Sequence, residues 1–299
     1  MGKRRFAPYV ISAFVLLIFI FVAPHMITNK LLVNRLPLLY LTIFFLGSLI
    51  IVGGIKGVKA IFTLVFTIFT VMKILLPMIL NGYDPVLVSV GICAIVIVVT
   101  LFVISGINQK TLAAIIGTLG GICIAGFSAL LFGHMADLSG LGNEESIHLV
   151  LYSRHIDFRG LLFAGIIIGA LGAVMDVGMS VSSSMYEIQL RNPEIKEKDL
   201  IAGGMSVGRD IMGTMSNTLI LAYVGSSMNL LLLFLTYDMP LNEIIGRDNM
   251  AAEVVRSLAG SVGLIFTIPL TAVVAGKIAN NKMIDDFFKT YSSLLERRK

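Results

Sequence analysis

Charged residues are scarce in this sequence. Of its 299 residues only 14% are Asp, Glu, Lys or Arg, and 57% are hydrophobic, whereas a soluble globular domain normally carries about 25% charged residues. Apolar runs of about 20 residues, long enough to cross a bilayer core of about 30 Å, recur along the whole chain. The composition therefore excludes an ordinary soluble domain and predicts an all-α, polytopic bundle of membrane helices.

The sequence also lacks the motifs of metal, nucleotide and nucleophile chemistry. Its two cysteines, Cys93 and Cys123, fall inside predicted spans and are interpreted as small apolar residues, not as a disulfide. No zinc-type Cys/His spacing or nucleophile elbow is present, and no lysine follows the glycine-rich segment 203–208 as a phosphate-binding loop requires. We therefore expect no metal and no other cofactor. Because the net charge of +5 is spread over helix ends, it does not indicate nucleic acid.

Eight membrane spans are predicted. They lie approximately at 8–27, 37–54, 57–80, 86–106, 111–133, 160–184, 211–236 and 258–276. The first follows three basic residues like a secretory signal, but no small-x-small cleavage site follows, so we expect it to be retained. The chain then divides into an amino-terminal helix with a short outer loop (1–36), a multi-helix membrane domain (37–280) and a basic, amphipathic cytoplasmic tail (281–299).

The basic residues predict the orientation of these spans. With the amino terminus inside, sixteen of the 23 lysines and arginines fall in interior segments, six in outer segments, and Lys73 within a span. Because short cytoplasmic loops are enriched in Lys and Arg, we expect both termini in the cytoplasm. Of the outer segments, 134–159 holds acids and histidines without tight ligand spacing, which favours a solvated rim over a metal site, and 238–257 is expected to form a charged face.

The densest set of polar residues within membrane-length helices lies in the stretch 160–234. Asp176 lies about 24 Å from the outer end of its span, by the rise of about 1.5 Å per residue. Ser180, Ser183 and Glu187 follow at intervals of four, three and four residues, so the four side chains share one helix face. An ionisable residue inside a bilayer span is costly, which makes Asp176 a candidate functional residue.

The next span carries hydrogen-bonding side chains at a similar depth. Thr214, Asn217 and Thr218 lie about 4 to 11 Å from its inner end, so Thr214 or Asn217 is predicted to hydrogen-bond Asp176. The polar cytoplasmic connector between the two spans is predicted to hold Glu187, Arg209 and Asp210.

Lys73 is not predicted to pair with Asp176. Counted from the inner end of its own span it lies about 24 Å up, near the outer side. The two charges then differ by more than about 10 Å in depth, and Lys73 is expected to extend toward the outer surface or to line an outer vestibule.

Two interpretations of Asp176 stay open. It is either a structural group that joins helices by hydrogen bonds, or a carboxylate that binds and releases a proton or cation during transport. Small residues also allow helices to approach closely. This packing role is favoured for Gly165, Gly169 and Gly172, and it is open to the neighbouring serines too.

Two segments of this region resemble a known family. GALGAVMDVGMSVSSSMYE (169–187) and GGMSVGRDIMGTMSNTLILAYVG (203–225), with Asn192-Pro193 between them, resemble the signature of the YibE/F family of bacterial multi-pass proteins, and the resemblance covers roughly 37–280. It implies a bacterial cytoplasmic-membrane protein but no established activity. Many members carry a larger extracytoplasmic domain after the first helix. Here only about ten residues, Thr28 to Pro37, stand there, so we expect that domain's function to be either absent or supplied by another subunit.

A second similarity suggests an activity. The segment 172–176, followed by Glu187, a polar connector and a Thr/Ser/Asn-rich helix, is similar to the fourth and fifth helices of the SecD/SecF and RND transport halves, where an intramembrane Asp takes part in proton coupling. The resemblance implies that predicted helices four to eight form the remainder of such a half. The acid of the SecF-type third helix and the periplasmic domain are absent from this sequence, so proton coupling at Asp176 is a hypothesis.

These residues are compatible with functions of three classes. The leading one is a transporter, or a transporter subunit, with Asp176 as a proton- or cation-linked centre for an unidentified solute or ion. The alternative is a non-transporting scaffold in the lipid bilayer that holds a paralogous subunit or forms a homo-oligomer. An enzyme is not expected because the spans contain no nucleophile–base pair and no metal motif.

Overall fold

The computed structural model describes residues 36–142, 144–152 and 156–280, and within these ranges it contains helices and no strand. The first predicted span (8–27) and the basic tail (281–299) lie outside the described residues. An all-helical fold is therefore confirmed for the part of the chain that carries the predicted membrane domain.

The described ranges hold eleven α-helices and one π-helical turn. The helices are α1 (Leu36–Gly53), α2 (Ile55–Thr70), α3 (Leu76–Leu80), α4 (Pro85–Ser105), α5 (Gln109–Met135), α6 (Glu144–Tyr152), α7 (Phe158–Arg191), α8 (Glu197–Ser226), α9 (Met228–Thr236), α10 (Leu241–Ile245) and α11 (Asp248–Ala279). The π-helical turn Val71–Leu75 joins α2 to α3. Side-chain caps begin the helices α4, α5 and α7. Asp84, Asn108 and Asp157 each accept a hydrogen bond from the backbone N–H three residues ahead.

Five helices are long and apolar enough to cross a membrane. They are the continuous helix Ile55–Leu80, α4, α5, α7 and α11. The pair α8 and α9 passes the same test together but is bent by 57° at its break, which makes six spans if the pair counts as one. The apolar helix Pro37–Gly53 is shorter. A multi-pass helical membrane protein is therefore confirmed, and the total of eight spans stays a prediction.

The chain forms two compact units, the first of which ends at Ile68. In this first unit α1 and the start of α2 approach closely at Gly57, where a Cβ atom would overlap the backbone of Leu49. The second unit begins at Phe69 and contains the polar residues of the predicted site.

Three helices form the centre of the second unit. α5 packs most extensively against α11, α7 packs against both, and α4 and α8 flank α7. Close approach depends on small residues, because a Cβ atom on Gly117 would overlap Thr271 and one on Gly121 would overlap Thr267.

The bundle of the second unit has two ends. The starts of α7 and α11 lie with the end of α5, since Gly133 faces Phe163 and Gly142 faces Asn249. We call this the Asp157 end. The opposite end holds the start of α5, the end of α7 and the end of α11, where the side-chain amide of Gln189 donates to the Ala279 carbonyl. We call it the Lys110 end.

The predicted connector between the two polar spans is wrong in extent. α7 continues to Arg191 and α8 begins at Glu197, so only 192–196 separates them. The polar end of α7 stays helical because it still buries one face, including Ser182 and Met185, and Pro193 then stops it. The predicted connector residues Glu187, Arg209 and Asp210 therefore lie on helices.

Candidate functional site

α7 and α8 form an antiparallel pair. Near the Lys110 end Gly204 faces Met185, and toward the Asp157 end Gly169 faces the hydroxyl of Tyr223. Residues between these two contacts lie level in reverse order along the two helices. This places Asp176 at about the same height as the segment 214–218, as its predicted depth required.

Asp176 lies in the middle of α7. It is the nineteenth of the helix's 34 residues, about 27 Å from the start and about 22 Å from the end. The helix buries Val174, Val177 and Ser182 against its neighbours, whereas Asp176 and Ser180 are exposed. The predicted polar face of α7 therefore points away from the packed core of the described chain.

The polar side chains of α8 are also exposed, and they hydrogen-bond within their own helix. The Thr214 hydroxyl donates to the Ile211 carbonyl at 2.9 Å, and the Thr218 hydroxyl donates to the Thr214 carbonyl at 2.8 Å. A threonine on a helix reaches the carbonyl three or four residues back more easily than a neighbouring helix. The predicted bond from Thr214 or Asn217 to Asp176 is accordingly not formed in the described structure.

Asp176 has no ion-pair partner among the described residues. The ion pairs in those ranges are Arg159–Asp137, Arg247–Glu243 and Arg256–Glu253. Lys73 is exposed within the π-helical turn and does not pair with Asp176. The half-buried Ser183 and the exposed Glu187, Arg209 and Asp210 likewise form no ion pair in the described part of the chain.

The predicted packing role of the α7 glycines holds at one position. A Cβ atom on Gly169 would overlap the Tyr223 hydroxyl, but no atom lies within 4 Å of a Cβ built on Gly165 or Gly172. These two glycines sit on the same open face as Asp176, so in the described chain they pack against no other helix.

Ser182 forms a contact between α7 and α5 that the sequence pattern did not indicate. Its side chain is buried, and its hydroxyl donates to the Lys110 carbonyl at 2.6 Å, which ties α7 to the start of α5. The Lys110 Nζ lies 5.6 Å from the centre of the Tyr186 ring, one turn farther along α7. The serine run of 180–184 thus has one member that joins helices.

A second polar cluster was missed because α11 begins earlier than predicted. Glu253 and Arg256 were expected on a charged outer face, but α11 starts at Asp248, so both lie in the first turns of a membrane-length helix. Arg256 Nη1 donates to Glu253 Oε1 at 2.7 Å, and Tyr223 of α8 lies within electrostatic reach of both. The sequence feature that could have indicated this cluster is an acid and a base three residues apart, just before an apolar run.

A groove between α5, α8 and α11 has a volume of about 720 Å³. Its lining is apolar apart from the serines Ser128, Ser216 and Ser261, and Asp176 does not belong to it. Within the described ranges no group of three or more His, Cys, Asp or Glu residues could hold a metal ion. The candidate site is therefore an open polar face on α7 and α8, centred on Asp176.

Residues 41–281 match the family model described as YibE/F-like protein. The match includes the α7–α8 pair and all of the polar residues discussed above. No curated protein and no solved structure matches the chain. Because the match covers most of the sequence, the chain belongs to the YibE/F-like protein family.

Proposed function

We propose that this protein is a transporter, or a subunit of one, linked to protons or cations, with Asp176 as its ionisable centre. One observation carries the proposal: a carboxylate stands at the middle of a 34-residue membrane helix with no ion-pair partner among the described residues. A charge held at that depth is costly, and such residues commonly belong to ion pathways and proton relays.

The surroundings of Asp176 support binding of a small cation. Ser180 lies one turn away on the same face of α7, and the threonine and asparagine side chains of 214–218 lie level with it on α8. Hydroxyl and carboxylate oxygens can share a proton or a hard cation. In this proposal Ser180, Ser183, Thr214, Asn217 and Thr218 form the polar shell of Asp176.

The open face also has a consequence for assembly. Ionisable residues within spans nearly always face a bundle interior or a water-filled cavity. We therefore extend the proposal: a second copy or another membrane subunit covers the α7–α8 face and encloses Asp176. The cytoplasmic location of both termini and a SecD/SecF-like arrangement of the last five predicted helices belong to this proposal as well.

The test is proton flux in proteoliposomes under an imposed pH gradient. We expect Asp176→Asn to abolish the flux of the wild-type protein while its elution on size exclusion stays unchanged. Glu194→Gln is the matched control, because it also removes one carboxylate but lies between α7 and α8. Equal flux in the wild type and in Asp176→Asn would contradict the proposal.

The same exposed face favours a second candidate, a scaffold that holds a partner without transport. A scaffold predicts that Asp176→Asn is tolerated and that differently tagged copies, or a defined partner subunit, co-purify through this face. Co-purification that persists in a protein without measurable flux would support the scaffold over the transporter.

A further inference from the structure

Glu253 and Arg256 form an ion pair toward the Asp157 end of the second unit, and Tyr223 lies within electrostatic reach of both. Glu253 and Arg256 stand on α11, and Tyr223 stands near the end of α8. We call these three residues the Tyr223 cluster. Its two charged side chains are 18% and 24% exposed, whereas the Arg247–Glu243 pair, before α11, is 44% and 55% exposed.

The ion pair leaves hydrogen-bonding capacity unused inside the protein. Glu253 Oε1 accepts from Arg256 at 2.7 Å, but Glu253 Oε2 and Arg256 Nε are buried and have no hydrogen-bond partner among the described residues. An ion pair whose hydrogen bonds are incomplete contributes little to the stability of the fold, because desolvation costs several kcal/mol per ion. Seven buried side-chain atoms lack a hydrogen-bond partner among the described residues, and these two are the ones that belong to charged groups. Leaving a charged group unsatisfied costs more than leaving a hydroxyl unsatisfied, which suggests a role in function.

Tyr223 connects this cluster to the face of Asp176. Its hydroxyl lies directly over Gly169, where a Cβ atom would overlap it. Gly169, Gly172 and Asp176 follow at intervals of three and four residues, so they share one face of α7. The phenol therefore stands on the Asp176 face, about 10 Å nearer the Asp157 end.

We propose that Glu253 and Tyr223 form the proton entry at the Asp157 end that serves Asp176, an inference that rests on the proposed function. A proton that arrives from the Asp157 end is taken up by the Glu253 carboxylate, whose side chain is 18% exposed. It is then held on Oε2, the buried oxygen that accepts no hydrogen bond from Arg256. The carboxyl group passes it through water to the Tyr223 hydroxyl. That hydroxyl accepts this proton on oxygen as it releases its own, through further water, to the Asp176 carboxylate about 10 Å away. One proton moves, the tyrosine is regenerated, and Arg256 serves as a positioning residue that fixes the carboxylate.

The test uses the full chain in proteoliposomes and the same proton-flux measurement. We expect Glu253→Gln and Tyr223→Phe each to lower the initial flux about a hundredfold or more, the scale of a lost proton-transfer group. Glu243→Gln, which removes the acid of an exposed ion pair, should leave the flux unchanged. Glu253→Asp should retain part of the flux, because a carboxyl group remains.

A second measurement, thermal unfolding, distinguishes a loss of flux from a loss of folding. Tyr223→Phe keeps the ring over Gly169, so its thermal unfolding in detergent should match that of the wild type. Flux lost in Asp176→Asn but kept in both Glu253→Gln and Tyr223→Phe would overturn the proton entry and leave the proposed function standing. Wild-type flux no higher than that of Asp176→Asn would overturn both.

Discussion

Single residues of the same type have opposite surroundings on α7. Ser180 is exposed on the Asp176 face, whereas Ser182 is buried at 1% exposure and hydrogen-bonds the Lys110 carbonyl at 2.6 Å. Two residues turn a helix by about 200°, which is enough to move a side chain from the open face of the helix to its packed face. The polar character of the serine run could be predicted from sequence, but the member that joins helices could not.

The Ser182 bond predicts a difference in stability within the run. Ser182→Ala leaves the Lys110 carbonyl without this donor, so we expect it to lower the free energy of unfolding by about 1 to 2 kcal/mol. Ser180→Ala is the matched control and should change it by less than about 0.5 kcal/mol. Denaturant unfolding in mixed micelles measures both. Equal stability of the two variants would show that the α5–α7 bond contributes nothing.

At the scale of helices, the sequence predicted that glycines pack against neighbouring helices but did not show which of them do. Gly121 and Gly172 both occur in small-residue patterns of apolar helices, and such patterns predict close helix contacts in general. Gly121 does lie against Thr267 of α11, but Gly172 has no atom within 4 Å of a Cβ built on it. Which glycine faces a neighbour depends on the rotation of each helix, which packing decides and local sequence does not.

Matched alanine substitutions test this distinction. A methyl group on Gly121 would overlap the Thr267 hydroxyl and approach the Gly263 backbone, so Gly121→Ala should cost about 1 to 3 kcal/mol of unfolding free energy. Gly172→Ala meets open space and should be neutral, or stabilising by up to about 1 kcal/mol through helix propensity. Thermal unfolding in detergent compares the two. A Gly172→Ala variant that dissociates an oligomer while the monomer stays folded would show that a second subunit covers this face.

At the scale of the whole molecule, composition alone predicted the class of protein, because repeated apolar runs permit no soluble fold. The family was also accessible from the sequence, since its signature lies in 169–187 and 203–225 and the family match covers both segments. The helix ends near 184 and 211 were wrong, because polar residues continue both helices beyond the apolar runs. Hydropathy marks the part of a helix that contacts lipid and not the part that extends past it.

The orientation of the chain in the membrane can be predicted from its basic residues, because the two ends of the second unit differ in charge. Five basic residues gather at the Lys110 end, namely Lys110, Arg191, Lys196, Lys198 and Lys277, whereas Arg159, Arg247 and Arg256 stand toward the Asp157 end. The positive-inside rule therefore predicts that the Lys110 end faces the cytoplasm. The connector 192–196 then lies inside. The segment around Asn242, between α9 and α11, lies outside if the bent pair α8–α9 is one span.

Cysteine labelling of intact bacterial cells tests this orientation and the bent span together. In a background with Cys93→Ala and Cys123→Ala, we expect Asn242→Cys to react with a membrane-impermeant maleimide on intact cells. Glu194→Cys should react only after the cells are opened, because the Lys110 end is predicted to face the cytoplasm. The reverse pattern would invert the orientation and move the Tyr223 cluster to the cytoplasmic side. Labelling of both positions from the same side would show that α8 and α9 do not together cross the bilayer, since the two positions would then share one surface.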